Sequence, residues 1–156
     1  MDQRLFRLFE AATMGDVAEL KALQNEDKLI LRRVPLSSTA ETPLHVASLA
    51  GLVDFVREIM KQVPSFAQEL NKDGFAPIHL ATAAGYLEVV REFLNKGDSG
   101  LCLLTDKAGR TPTHHAAMRR RIHIIDELLS ECPHQKAMEQ VTPNGETVLH
   151  LTVKPV

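Results

Sequence analysis

One segment recurs along this chain at nearly constant spacing, and the recurrence limits the fold more than any composition figure does. The stretches "TPLHVASLAG" from Thr42, "APIHLATAAG" from Ala76, "TPTHHAAMRR" from Thr111 and "TVLHLT" from Thr147 align, with starts 34, 35 and 36 residues apart. After each of the first three comes a second apolar run of helical period: "LVDFVREIM", "YLEVVREFL" and "IHIIDELL". Three of the four copies are preceded by a turn signal, "KDG", "KAG" or "PNG". A unit of one turn and two short helices cannot bury its apolar face alone. Copies must therefore stack side by side and share one core, which makes a solenoid.

The residue types fit that geometry. Thr42 and Thr111 are N-caps, whose hydroxyl satisfies a free N–H at the start of a helix. Pro43 and Pro112 then fall at the first helical position, where a missing N–H is harmless. Ala76 has no hydroxyl, so about 1 kcal/mol less capping is expected there. Ala47, Ala81 and Ala116 let paired helices approach closely. Gly15, Gly51 and Gly85 end the first helix of their copies, where a left-handed residue is needed. Arg120 stands in that place in the fourth copy, at an expected cost of about 1 kcal/mol.

The Thr-Pro-Leu-His-x-Ala pattern, the Gly closing the short helix and the Val-Val or Leu-Leu second helix resemble ankyrin repeats over roughly residues 40 to 151. "FEAATMGDVAELKAL" is similar to a divergent first copy: it keeps Ala11, Gly15 and Leu20 but has Phe6-Arg7 where Thr-Pro would fall, as a cap does. The resemblance implies an all-α ankyrin-repeat solenoid with β-turn or hairpin connections. It implies a single domain, 1–156, made of a capping repeat (1–36), repeats at 37–70, 71–105 and 106–141, and a truncated fifth at 142–156. The order "MDQRLF", the "VP" and "CP" spacers, "DKAGRTP" and "PNGETVLHL" also resembles plant ankyrin-repeat membrane proteins of the PGG-domain class. In that class cytosolic repeats precede a membrane-embedded domain and serve immune and stress signalling. The chain stops inside its fifth repeat, so residues 147 to 156 are expected to fray or to mediate self-association. Ile124, Ile125, Leu128 and Leu129 are expected to be poorly covered.

Composition narrows the function classes. A net charge of −2 argues against a general nucleic-acid binder. Cys102 and Cys132 are too few for a disulfide framework and form no CxxC, which favours a reducing compartment and cysteines that merely pack. The N-terminus reads as no signal peptide, and no run approaches the roughly 20 apolar residues of a membrane span. The expected location is cytoplasmic, at the cytoplasmic face of a membrane if the parent protein is anchored there.

"TPTHHAAMRRR" looks like a chemical site until its recurrence is seen. His45, His79, His114 and His150 share one repeat position, where the resemblance implies a hydrogen-bonding strut between turns. One repeat apart, they are too distant to share a zinc ion at about 2 Å. Only His115 and His123 remain as a pair with any chance of meeting, and no ligand set is completed around them. No GxSxG, GxxxxGK[ST], HExxH or GxGxxG occurs. Neither catalysis nor a cofactor or metal is therefore expected.

The expected function is protein binding on the concave surface built by turns and first helices. Turn positions there are Glu41, Phe75, Arg110 and Glu146. The position after the histidine is Val46, Leu80, His115 and Leu151, and further along come Leu49, Ala83 and Met118. Partner-binding candidates are Glu41, Leu49, Phe75, Arg110, His115, Met118 and the basic loop Arg119, Arg120 and Arg121. Thr42, His45, His79, Thr111, His114, Thr147 and His150 are candidates for a structural role. A rival reading makes Arg119 to Arg121 a site for an anion or phosphoinositide.

Overall fold

The computed structural model describes residues 3–34, 41–96 and 99–132. Glu146, Thr147, His150, Leu151 and the expected fraying or self-association of the fifth repeat lie outside them. Four helix pairs follow one another: α1 (Gln3–Met14) with α2 (Val17–Glu26), α4 (Pro43–Ala50) with α5 (Val53–Gln62), α6 (Pro77–Ala84) with α7 (Leu87–Lys96), and α8 (Pro112–Met118) with α9 (Ile122–Glu131). A single helical turn, α3 (Ile30–Arg33), and 3₁₀ turns at Pro64–Gln68 and Ser99–Leu103 lie in the connections. First helices stack in the order α1, α4, α6, α8, and second helices in the order α2, α5, α7, α9. No strand occurs among the described residues, and the chain forms the all-α repeat solenoid expected from its period.

Local chemistry sets each helix start. The Thr42 hydroxyl accepts the His45 N–H at 3.3 Å, and the Thr111 hydroxyl accepts that of His114 at 3.4 Å. At Ala76 no side chain can do this, and the His79 N–H turns to the Ala76 carbonyl at 3.0 Å.

The helix ends carry a second repeat rule. Gly51 is left-handed at φ 75°, and a Cβ there would stand 2.7 Å from the Tyr86 ring. Tyr86 is the first residue after the next pair's glycine. Leu52 covers Gly15 and Arg121 covers Gly85 in the same way. The glycine column therefore serves close packing between pairs as well as backbone conformation. Arg120 adopts φ 56°, the one positive φ at a non-glycine among the described residues. Arg120→Gly is expected to stabilise the chain by about 1 kcal/mol, read as a higher urea midpoint at unchanged slope.

The core is continuous through the stack, with Leu8, Leu20, Leu44, Phe55, Ile59, Ile78, Phe93 and Leu128 fully buried. The expectation for the fourth pair needs correction. Ile124 and Leu128 are buried and Ile125 and Leu129 half-buried, because positions four apart on α9 face back onto the third pair. On the second helices, Arg57 pairs with Glu92 and Arg91 with Glu127, each at 3.2 Å, tying successive pairs. Cys102 and Cys132 do more than pack: both are buried and joined as a disulfide, with Cα atoms 6.1 Å apart.

Candidate functional site

The turns before α6 and α8 are built alike. Asn71 Oδ1 accepts the N–H groups of Asp73 and Phe75, each at 3.0 Å. Asp106 Oδ1 accepts those of Ala108 at 2.8 Å and Arg110 at 2.9 Å. Each turn closes with a backbone bond at 2.9 Å, from Asn71 N–H to Phe75 O and from Asp106 N–H to Arg110 O. These side chains mimic backbone turns, a habit of Asn and Asp.

Successive turns are then fastened to one another. Asn71 Nδ2 donates to Glu41 at 3.1 Å, which joins the residue just before the α4 N-cap to the turn before α6. Lys107 N–H donates to the Gly74 carbonyl at 2.9 Å, which joins the turns before α6 and α8.

The repeated histidines fix this array from beneath. The Thr42 N–H donates to His45 Nδ1 at 3.2 Å, so Nδ1 is the acceptor and Nε2 carries the proton. That Nε2–H donates to Phe75 O in the next turn at 2.9 Å. His79 repeats the arrangement, accepting from the Ala76 N–H at 3.0 Å and donating to Leu104 O at 2.7 Å. His114 Nδ1 accepts from the Thr111 N–H at 2.9 Å. Burial holds His79 below the usual imidazole range, at about 4, with the neighbouring His115 as a second cause. Burial likewise lowers His45, against the pull of the Phe75 carbonyl.

His115 is buried, with Nε2 donating to Asp106 Oδ2 at 2.7 Å. Burial lowers its pKa although the carboxylate opposes this. Burial also works to raise Asp106, but hydrogen bonds from the Arg110 N–H and from His115 outweigh it and hold the carboxyl below its ordinary value. The pair at neutral pH is thus an anionic Asp106 receiving a proton donor from a neutral His115.

The other candidates fall into place around these turns. Phe75 is half-buried and meets the His115 ring edge-on, with centroids 5.6 Å apart. It lines a cleft of about 310 Å³ with Asp73, Asp106, Lys107, Ala108 and Arg110. Arg110 Nε is buried there without a hydrogen-bond partner. Leu49 is 55 % exposed and Met118 half-buried. Arg119, Arg120 and Arg121 are exposed, but Arg121 donates to Ala83 O at the end of α6, at 3.2 and 3.3 Å. His123 is exposed on α9, and no group of three potential metal ligands converges among the described residues.

Comparison with known proteins agrees with this geometry. A family model described as "Ankyrin repeats (3 copies)" matches residues 8–101. The chain belongs to the ankyrin-repeat family. Over 76 residues, 49 % of its length, it is 37 % identical to the ankyrin repeat-containing protein BDA1 of Arabidopsis thaliana, and that stretch spans 17 % of the relative's own length. Ankyrin repeats are protein-interaction modules, and no helix of the described residues is long and apolar enough to cross a membrane.

Asn71, Asp106 and the Glu41–Asn71 link were missed as site residues by sequence reasoning. Their signal was visible, since an Asn or Asp stands three residues before each turn glycine in "NKDG" and "DKAG".

Proposed function

We propose that this ankyrin stack is a non-catalytic scaffold that binds a protein segment across the turns and first helices of repeats two to four. One observation carries the reading. Turns tied to one another present a half-buried Phe75 and an Arg110 whose Nε lies buried with no acceptor, and the first helix α4 presents an exposed Leu49. A buried cationic N–H without a partner is unfavourable, and an incoming carbonyl or carboxylate relieves it. Phe75 and Arg110 are the anchors. Leu49 and Met118 add apolar contact, Glu41 and Arg119 a charged rim, and His115 holds Phe75 in place.

The working division is a single domain, 1–156, with a capping repeat at 1–36, repeats at 37–70, 71–105 and 106–141, and a fifth begun at 142–156. A place in plant immune or stress signalling, in a cytosolic repeat region of a membrane-anchored parent of the PGG-domain class, is supported by the order of motifs along the chain; the Arabidopsis relative supports only the ankyrin-repeat, plant part of that reading. The anion or phosphoinositide alternative has less support, since the Arg121 guanidinium is engaged at Ala83 O.

The test is affinity for a partner recovered from plant extract, measured with the parent and two variants. Phe75→Ala should weaken binding at least about tenfold. It should lower the melting temperature only slightly, since it loses one aromatic contact. Arg110→Glu should mainly slow association, most at low salt. Parent-like binding by both variants moves the site off the turns. Loss of binding only on changing Arg119 and Arg120 favours the basic loop.

A further inference from the structure

We propose that Cys102 and Cys132 form a reversible thiol–disulfide exchange site, which locks the fourth helix pair onto the third when oxidised and frees it when reduced. The exchanging partner is a low-molecular-weight thiol–disulfide couple such as glutathione. The inference is independent of where a protein partner sits.

Placement is the first support. Cys102 lies in the 3₁₀ turn Ser99–Leu103 that follows α7, and Cys132 caps the end of α9. That turn touches α7, α8 and α9, so the bond sits where the two pairs meet. Their Cα separation of 6.1 Å falls in the range a disulfide spans without backbone movement. The closed loop contains the turn at 106–110, α8 and α9, which is the whole described part of the fourth repeat.

The second support is the junction one repeat earlier. Ala67 is the fourth residue of the 3₁₀ turn Pro64–Gln68, as Cys102 is of its own, and both are buried. That junction holds by packing, hydrogen bonds and the Arg57–Glu92 ion pair, with no disulfide at Ala67, so the geometry does not depend on a covalent link. Both sulfurs lie within the continuous apolar core, where a thiol packs as a small hydrophobe. The reduced protein therefore keeps the fold and loses only the constraint.

The chemistry balances with the couple named. A small thiolate attacks one sulfur, and the other leaves as a thiolate that takes a proton from water. A second small thiolate resolves the mixed disulfide, leaving two protein thiols and one small disulfide. In reverse, the protein thiols pass two electrons and two protons to the small disulfide, which becomes two thiols. Because both sulfurs are buried, exchange proceeds through local opening at the end of α9.

The experiment equilibrates the purified 156-residue chain in glutathione buffers from fully reducing to fully oxidising. Iodoacetamide traps free thiols for intact-mass analysis, and amide exchange is followed in both end states. One reversible transition is expected, from a doubly alkylated monomer to an unalkylated monomer. Oxidation should slow exchange in residues 99–132 and leave α1, α2 and α4 unchanged. It should raise the melting temperature by about 10 °C, from the constraint on a loop of this length. Cys102→Ala/Cys132→Ala should match the reduced parent in either buffer. Two alkylated thiols under all conditions overturn the proposal, as do disulfide-linked dimers. Unchanged protection in residues 99–132 overturns it too. Global unfolding on reduction does so as well, because the bond is then a fixed structural one.

Discussion

Acidification from pH 7 to pH 4 should remove about 3 kcal/mol of stability through His79 alone. In the unfolded chain an imidazole takes its proton near 6.5, whereas folded His79 resists until about 4, chiefly because it is buried. Between those values the unfolded state holds the extra proton, so stability falls as pH drops. Above 6.5 the contribution is fully present. His45 and His115 are lowered in the same direction and add to the slope. The structural reason is the single proton each strut carries. His79 Nδ1 must accept the Ala76 N–H while Nε2 donates to Leu104 O, and a second proton turns the acceptor into a donor facing a donor. Urea unfolding at pH 7, 6 and 5 measures the slope. His79→Ala isolates it: the variant should lose about 1 to 3 kcal/mol at pH 7 and show a flatter pH dependence. Equal slopes in parent and variant would mean that His79 is not the titrating strut.

That result bears on what the sequence displayed. A histidine recurring with a mid-thirties period is legible as structure because chemistry at one site does not repeat along a chain. The same logic exposed the helix starts at Thr42 and Thr111 and the helix ends at Gly51 and Gly85. It also found Arg120 as the departure, and Arg120 is left-handed at φ 56°. What stayed hidden depends on neighbours in space. Cys102 and Cys132 are 30 residues apart, less than one period, and only the stacking of α9 beside the turn after α7 makes them meet. Arg121 looked like part of a basic cluster, yet the packing of one loop over the preceding helix end puts its guanidinium on Ala83 O. From sequence alone Phe75 was a turn position and a partner-binding candidate, with no packing partner assigned to it. The structure gives it a packing partner, His115, and leaves it half-exposed. The repeat period shows which residues occupy equivalent positions; side chains that cross from one repeat to the next require the three-dimensional register.

Gly74→Ala should lower stability by about 2 to 3 kcal/mol and separate the turns that form the candidate site. Gly74 sits at φ 87°, where a side chain adds about 1 to 2 kcal/mol of strain. The surroundings make this worse. A Cβ at Gly74 would overlap Lys107 Cβ, an atom fixed by the backbone rather than the end of a flexible chain. The turn at 106–110 must move, and the 2.9 Å bond from Lys107 N–H to Gly74 O is then lost, worth about 0.5 to 1.5 kcal/mol more. Asn71 N–H to Phe75 O closes the Gly74 turn, so the displacement reaches Phe75 and the cleft beside Arg110. A melting temperature lower by roughly 5 to 10 °C is expected. Partner binding should weaken by a larger factor than in any destabilised variant altered far from the turns. Gly74→Asn separates the two causes, because Asn tolerates the left-handed region but still brings a Cβ. If strain dominates, Asn behaves nearly as glycine does; if the contact with Lys107 dominates, Asn and Ala are equally damaging. The overlap favours the second outcome. Gly74→Ala unfolding within about 0.5 kcal/mol of the parent would show that the turns slide freely past one another, and a rigid array could then not be what holds Phe75 and Arg110 in register.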